Sequence, residues 1–349
     1  SIIMLTKESL VLVDSFLGKT EIRGLLRTHN LKELYESFQS KQYHNSKIKT
    51  KQSHVKFPSS YFLPETLSKK IESRVNVFTF LWTTTNSLHK SVNCTLHIHT
   101  QLNEGIPNTQ LLINALSFLF SFTDRNRKFK IHLVLLNDKK LIRKNQKHIN
   151  QQNVNSASCK YTETTAEICV WRKEEAIKVL FHECLHGLRC SNLKSYDTTT
   201  KHICDKYNIS STNILIDEAY TELWAKILNC YYVSSLTNSS NPYQHFCTML
   251  ALEKEFSFYQ ANKLIKFIRD NRGINLDKYT NVSAYYLLVA ELFNHLQEFF
   301  IKCGMDPYLK DYNAFISLLL TETHIPKRKI TLQDKHYNTM RMSVIELLL

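Results

Sequence analysis

Hydrophobic residues follow two different periods along the chain, and one gives way to the other near residue 172. Upstream of that point, several segments rich in Val, Phe and Thr alternate between apolar and polar residues, which predicts β-strands. These segments are 76–82, 92–100, 128–136 and 167–172. A longer apolar stretch over 111–122 predicts a buried helix between the second and third of them.

Downstream of the change, apolar residues recur every three or four positions, which predicts helices almost throughout. The predicted helices are 195–207, 211–232, 242–270, 281–303 and 308–321. Only six glycines and six prolines occur in 349 residues, and so few helix breakers favour long helices. We therefore expect an α+β fold, in which a mixed N-terminal part with a small sheet is followed by a mainly helical C-terminal part.

The first 75 residues predict a separate, basic helical region. Apolar stripes at 10–17 and 31–38 fit two helices. Lysines and histidines are then frequent between Ser40 and Phe57, and Tyr43 is the one aromatic residue between these two. Because base stacking needs aromatic side chains, a solvated basic loop fits this run better than a nucleic-acid-binding arm.

The charge and the cysteine content indicate the cellular compartment of the protein more clearly than they indicate its function. Lys and Arg outnumber Asp and Glu by 45 to 31, a surplus that suits either an anionic partner or a basic solvated surface. Nine cysteines without a Cys-x-x-C pair argue against a disulfide framework and predict an intracellular, reducing compartment. No signal peptide is evident, and the stretch 111–122 is too short to be a transmembrane segment.

Candidate chemistry is concentrated where the two periods meet. A helix is predicted directly after the 167–172 strand, and it carries His182, Glu183 and His186 in the pattern His-Glu-x-x-His. The two histidines are one helical turn apart and share a face. Two imidazoles in that position suit one zinc ion, with Glu183 beside the open coordination position.

A catalytic zinc site needs a third protein ligand. The extended pattern that would supply a later histidine is broken, because Arg189 and Asn192 stand where Gly and His are required. A later predicted helix offers Glu218 and Glu222, one turn apart, among apolar neighbours that indicate burial rather than two solvent-facing glutamates. Zinc for one carboxylate and an imidazole N–H for the other would offset the cost of burying both.

These two segments, His-Glu-x-x-His and Asp217-Glu218-Ala219-Tyr220-Thr221-Glu222, resemble the gluzincin group of zinc metallopeptidases. The resemblance covers roughly residues 165–230 and implies a zincin-like fold with the zinc helix at the join of its two parts. It implies that His182, His186 and Glu218 bind one Zn²⁺ per chain. Glu183 would then be the general base, and Glu222 would hydrogen-bond one of the ligand histidines. 

On this interpretation, residues 1–75 form the basic helical region and 76–349 form a zincin-like metallopeptidase domain. The sheet and zinc helix would occupy 76–190, and a helical subdomain would occupy 191–349. A narrower similarity extends upstream: Asn153-Val154-Asn155-Ser156 and the segment 167–175, followed by the zinc motif, resemble uncharacterised zincin-like proteins of large DNA viruses. That resemblance implies a viral origin, and hence the host cytoplasm or the virion, but no established substrate.

The reaction that the zinc motif implies is hydrolysis of a peptide bond in a peptide or protein substrate. Zinc would acidify a water, and Glu183 would take its proton and pass it to the leaving amine. A hydrogen-bond donor must also stabilise the oxyanion. The candidate donors are His202, Tyr220, Tyr285, Tyr286 and His295.

Two other hypotheses for the function stay open. The fold could be a catalytically inactive relic that serves as a structural or nucleic-acid-binding viral protein. The basic surplus favours that hypothesis, whereas Glu183 has no purpose in it. Alternatively, the same residues could hydrolyse a bond other than a peptide bond.

Two strand features also have more than one interpretation. The edge of the 167–172 strand could pair with an extended peptide and lay it across the metal, or the strand could be an ordinary interior one. His97 and His99 share a strand face, as metal ligands would. No acidic or cysteine partner lies near them in the sequence, which favours a solvent-facing side of the strand.

Overall fold

A seven-stranded mixed sheet lies at the centre of the protein, whose computed structural model describes residues 5–192, 197–321 and 324–349. Its strands are β1 (Tyr43–Asn45), β2 (Lys49–Ser53), β3 (Asn76–Asn86), β4 (Ser91–Thr100), β5 (Arg127–Leu136), β6 (Ala157–Tyr161) and β7 (Thr165–Arg172). They lie in the order β1-β3-β4-β5-β7-β6, and β2 pairs with a different part of β3. The central strands β4, β5 and β7 run parallel, and the outer pairings are antiparallel.

Helices account for most of the remaining chain. They are α1 (Lys7–Leu17), α2 (Arg23–Leu26), α3 (His29–Gln39), α4 (Glu65–Glu72), α5 (Thr109–Phe120), α6 (Gln151–Val154), α7 (Ala176–Leu188), α8 (Asp197–Tyr207), α9 (Ile216–Ser235), α10 (Pro242–Asp270), a π-helix (Ser283–Leu288), α11 (Val289–Asn294), α12 (Leu296–Cys303) and α13 (Tyr312–Leu319). The mixed helix-and-strand architecture predicted from the sequence is confirmed. None of the described helices has both the length and the apolar character needed to cross a membrane.

Most of the predicted elements are present with shifted ends. The four predicted strands correspond to β3, β4, β5 and β7, and the predicted helices 211–232 and 308–321 correspond to α9 and α13. The helix predicted over 281–303 is divided into the π-helix, α11 and α12, with a break at His295, where the backbone leaves helical geometry. Residues 195 and 196 of the predicted helix 195–207 lie outside the described residues.

The N-terminal region is only partly helical. The run 40–57, predicted to be a solvated loop, holds β1 and β2, and both strands pair with β3. The side chains of these two strands are almost all exposed, so backbone hydrogen bonds hold the strands in place and no hydrophobic alternation marks them. Lysines on such edge strands are common, because they discourage pairing with another chain. The loop prediction is therefore wrong.

The strand β7 lies inside the sheet, because it pairs with β5 on one side and with β6 on the other. Of the two interpretations of the 167–172 strand, the interior one is therefore correct. The edge position belongs to β6, which lies in a stretch whose polar composition gives little strand signal.

The helix α7 packs against β5, β6 and β7, on the face of the sheet that holds the larger hydrophobic cluster. Gly187 allows a close approach here, because a Cβ atom at this position would lie 2.6 Å from Phe129 Cε1 and 2.8 Å from Ala166 Cβ. On the opposite face, Leu67 and Ile71 of α4 pack in a smaller cluster with apolar side chains of β5 and β7.

The start of α7 is fixed by a distant segment. Glu175, the residue before the helix, has a left-handed backbone conformation (φ 60°). Its buried carboxylate accepts hydrogen bonds from the backbone N–H groups of Met342, at 2.9 Å, and Ser343, and it pairs with Lys140. The position of α7 therefore depends on residues that lie 167 positions further along the chain.

Three buried histidines of β4 and β5 lie on the face of the sheet opposite α7. His97, His99 and His132 are 4%, 3% and 0% exposed. His97 Nδ1 lies 2.8 Å from Thr79 Oγ1, and His99 Nε2 lies 3.1 Å from His132 Nδ1. The ring of Phe57 packs against two of them, with its centroid 5.4 Å from that of His99 and 6.0 Å from that of His132. The solvent-facing placement predicted for His97 and His99 is therefore wrong, because residues that follow β2 cover this part of the sheet.

Replacing Gly187 with alanine should destabilise the protein by about 1–3 kcal/mol, because the added methyl group would overpack the contact between α7 and the sheet. Gly24→Ala is the matched control, since Gly24 is also helical and has open space where a Cβ atom would lie. Urea-induced unfolding at equilibrium measures both variants. Equal free energies of unfolding for the two variants would contradict the packing argument.

The three buried histidines should make stability fall as the pH is lowered. Burial, together with nearby lysines and the neighbouring imidazoles, lowers the pKa of His97 and His99 to about 4 and that of His132 to about 3. An unfolded histidine takes up its proton near pH ~6.5, so between that value and pH ~4 the unfolded state binds more protons and acidification favours unfolding. Each histidine should cost roughly 1–2 kcal/mol of unfolding free energy between about pH 7 and about pH 5.

Urea unfolding at the two pH values tests this expectation. The pH-dependent loss of unfolding free energy should be smaller in His132→Asn than in the wild type. The exposed His54 provides the control, because His54→Asn should lose as much as the wild type. A His132→Asn variant that loses just as much stability on acidification would show that the cluster is not responsible.

Candidate metal centre

Two packed helices, α7 and α9, present the polar side chains of the candidate centre. α7 carries His182, Glu183 and His186, and α9 carries Glu218 and Glu222. Apolar residues surround α9 so completely that each of its residues from 219 to 234 is buried. Carboxylates near the start of this helix are therefore enclosed by protein and need a positively charged or hydrogen-bonding partner.

Three ligand atoms converge between the helices. His182 Nε2 lies 3.0 Å from Glu218 Oε2, and His186 Nε2 lies 3.2 Å from His182 Nε2 and 3.3 Å from Glu218 Oε2. Among the described residues, this is the one group of at least three His, Cys, Asp or Glu side chains whose ligand atoms all lie within 4.8 Å of one another.

These separations fit a metal ion. Two ligand atoms that each lie about 2.0–2.1 Å from a tetrahedral ion are about 3.3–3.4 Å apart, within a few tenths of an ångström of the three distances here. Two imidazole nitrogens and one carboxylate oxygen are a donor set that suits zinc and several other divalent ions. His182, His186 and Glu218 could therefore hold a metal ion.

A second set of contacts orients the two imidazole rings. His182 Nδ1 lies 2.9 Å from Glu222 Oε2, and His186 Nδ1 lies 3.5 Å from Asp217 Oδ2. Ser191 donates a hydrogen bond from its hydroxyl group to Asp217. When an Nδ1–H group is held by a carboxylate, the Nε2 lone pair is left to face the centre, which is the usual support for a metal-binding histidine.

Electrostatic interactions reinforce this arrangement. Burial raises the pKa of Glu183 above its ordinary value. Burial alone would also raise the pKa of Glu222, but Lys178 and His182 outweigh it and hold that pKa well below the ordinary value. Likewise, the two imidazoles outweigh burial and keep the pKa of Glu218 low. Glu218 and Glu222 are therefore carboxylates in the folded protein.

The centre opens into a cleft of about 480 Å³. Glu183 and the three ligand residues line it, and β6 contributes Ala157, Ser158, Cys159 and Tyr161 to its wall. The loop 277–281 and the exposed side chain of Tyr61 also border it. The π-helix brings Tyr285 to the same place, where its hydroxyl group donates to Glu218 Oε2 at 3.0 Å.

Of the five candidate oxyanion donors, the structure brings Tyr285 to the cleft and holds the others elsewhere. The hydroxyl groups of Tyr286 and Tyr220 donate to the backbone carbonyl oxygens of Met340 and Pro307, at 2.5 and 2.8 Å. Neither His202, on α8, nor His295, at the break after α11, lines the cleft. None of these four side chains lines the cleft, so Tyr285 is the candidate donor that the structure brings to the centre.

Sequence reasoning missed two residues that support the histidines. Asp217 was named only as the first residue of the motif that contains Glu218, and nothing in the sequence indicated its contact with His186. Lys178 stands among apolar residues one turn before His182, and it contacts Glu222. A lysine inside an otherwise apolar helix is unusual enough to have indicated a buried partner.

Comparison with known proteins finds little similarity. The chain is similar to an uncharacterised protein of Acanthamoeba polyphaga mimivirus, with 28% identity over 159 residues. The matched region covers 39% of this chain and spans 39% of the length of the viral protein. No family model matches the chain, and no solved structure matches it significantly.

The purified protein should bind one divalent metal ion per chain, which elemental analysis after dialysis can measure. His182→Ala and Glu218→Ala should each weaken binding by more than about 100-fold, because each removes a ligand rather than an outer contact. His54→Ala is the control, since His54 is exposed and belongs to no ligand group in the described residues. Unchanged metal content in a correctly folded His182→Ala variant would place the ion elsewhere.

Proposed function

We propose that this protein is a zinc-dependent metallopeptidase of the gluzincin type, with Glu183 as its general base. The observation that carries the proposal is the convergence of three ligand atoms beside Glu183 in an open cleft. The spacing of the donors suits zinc, and the supporting carboxylates suit an ion that must stay bound through many turnovers. The partial likeness to a mimivirus protein supports a viral origin but no substrate.

Each residue has a defined part in the proposed reaction. His182, His186 and Glu218 would hold the ion, which when bound supplies a Lewis acid that brings the pKa of a water near neutrality. Glu183 would accept the proton of this water and later donate it to the leaving amine. Burial raises the pKa of Glu183, and this favours uptake of a proton by its carboxylate. The Tyr285 hydroxyl group would turn from Glu218 to donate to the oxyanion.

The edge of β6 would hold the substrate. Trp171 donates a backbone hydrogen bond to Ser156, at 2.9 Å, and this fixes the pairing of β6 with β7. In an antiparallel pair, alternate residues turn their backbone groups away from the neighbouring strand. Ala157, Cys159 and Tyr161 therefore direct their N–H and C=O groups to the free edge, and all three line the cleft. An extended peptide can add to such an edge as a further strand.

A basic binding protein is the second candidate function. Lys128, Lys130 and Lys160 are exposed around a shallow groove on the sheet, and Lys51 is exposed on the edge strand β2. With a net charge of +14, such a surface could contact the phosphates of a nucleic acid. A hydrolase that acts on a bond other than a peptide bond uses the same centre and is distinguished by its substrate alone.

The variant Glu183→Gln distinguishes the zinc peptidase from the basic binding protein. The variant should keep its zinc but lose cleavage of a peptide library by at least about 100-fold, because the amide cannot accept the proton of a water. The exposed Glu65 gives the control variant Glu65→Gln, which should cleave like the wild type. If zinc-loaded wild type cleaves no peptide yet binds DNA with a steep salt dependence, the second candidate is correct.

A further inference from the structure

A buried ion pair lies behind the candidate metal centre. The Lys178 ammonium group contacts both oxygens of Glu222, at 2.8 Å from Oε1 and 3.1 Å from Oε2. The side chains of Lys178 and Glu222 are 2% and 1% exposed. Such a pair adds little net stability, because removing two charges from water costs about as much as their attraction returns. Its presence therefore calls for a purpose other than stabilising the fold.

The geometry connects this pair directly to a metal ligand. Glu222 Oε2 is also the atom that lies 2.9 Å from His182 Nδ1. Lys178 and His182 are four residues apart on α7, so they lie on the same side of that helix and meet Glu222 together. The carboxylate is held at both oxygens by Lys178 and at one by His182. It cannot rotate without losing a contact, and it therefore holds Nδ1 of the His182 ring in place.

The other ligand histidine contacts a more exposed carboxylate at a longer distance. His186 Nδ1 lies 3.5 Å from Asp217 Oδ2, and Asp217 also takes a hydrogen bond from the hydroxyl group of Ser191. The Asp217 side chain is 18% exposed, against 1% for that of Glu222. His182 is thus held by the more deeply buried of the two carboxylates.

Lys178 is itself confined from behind. Its Nζ atom lies 3.7 Å from Met342 Sδ, and the backbone N–H of Met342 is bound by Glu175 at 2.9 Å. Lys178 is therefore packed between Glu222 and a segment that is anchored to the start of its own helix. A flexible lysine side chain is in this way restricted to the position from which it bridges the carboxylate.

We infer that Lys178 is a positioning residue of the metal centre, which acts on His182 through Glu222. In the absence of Lys178, the Glu222 carboxylate would keep only its contact with His182 and would be free to rotate. His182 would then present its Nε2 atom to the ion less consistently. The inference requires the metal centre but not peptidase activity, so it can be tested without any substrate.

Lys178→Met is the first variant, because methionine has a similar length and no charge. We expect the metal to dissociate about 10–100 times faster than from the wild type, the range usual for loss of an outer contact to a ligand. The visible absorption spectrum of the Co²⁺-loaded protein should also change, since the spectrum depends on ligand geometry. Lys178→Arg, which restores a cation, should recover most of the wild-type dissociation rate.

Lys263→Met is the matched control. Lys263 is also buried, at 3% exposed, and its ammonium group donates to the backbone carbonyl oxygen of Thr339, but it contacts neither Glu222 nor any of the metal ligands. This variant should change the free energy of unfolding while leaving both the metal dissociation rate and the Co²⁺ spectrum as they are in the wild type. A purely structural role for Lys178 would make the two lysine variants behave alike.

The double variant Lys178→Met/Glu222→Gln keeps the test decisive if Lys178→Met alone does not fold, because it leaves no unpaired buried charge. It should fold and still release metal about 10–100 times faster than the wild type. Wild-type dissociation rates and an unchanged Co²⁺ spectrum, in either the single or the double variant, would overturn the inference. Failure of the wild type to bind metal at all would overturn it as well.

Discussion

The cost of enclosing carboxylates inside a protein is the constraint from which the candidate centre follows. α9 is buried along almost its whole length, yet it carries Glu218 and Glu222 on the side that faces α7. Each carboxylate must be met by a cation or by hydrogen-bond donors. The two histidines of α7 and the ammonium group of Lys178 meet this need, and the atoms that remain directed inward form a ligand set. The charged and hydrogen-bonding groups of the centre thus offset the cost of burying two carboxylates.

Sequence reasoning recovered the parts of this arrangement that depend on local spacing. His182 and His186 are four residues apart, and helical periodicity alone brings them to one face. Glu218 could be proposed only by assuming that a distant helix returns to the first one. Tyr285 could not be distinguished from four other candidate donors, because its direction is set by a π-helix that no hydrophobic period reveals.

A similar part of the fold could be predicted from the sequence, for similar reasons. Strands with one or two buried faces, such as β4 and β7, carry a clear pattern of side chains. The edge strands β1, β2 and β6 do not, since the side chains of β1 and β2 are almost all exposed and the one buried side chain of β6 is the polar Ser158. Burial of His97 and His99 could not be inferred either, because it depends on residues outside their own strand, such as Thr79 beside His97 and Phe57 beside His99.

The link between Glu175 and residues 342–343 ties the centre to the order in which the chain is made. On a ribosome, α7 and α9 are made well before this segment, since Met342 lies 107 residues beyond the end of α9 at Ser235. Until Met342 and Ser343 are made, the carboxylate before α7 lacks two of its donors and keeps its ion pair with Lys140. The helix with both histidines is therefore fully anchored only at the end of translation of this region. A fragment cut to include just the two helices would lose the anchor, so the centre cannot be reduced to a minimal peptide.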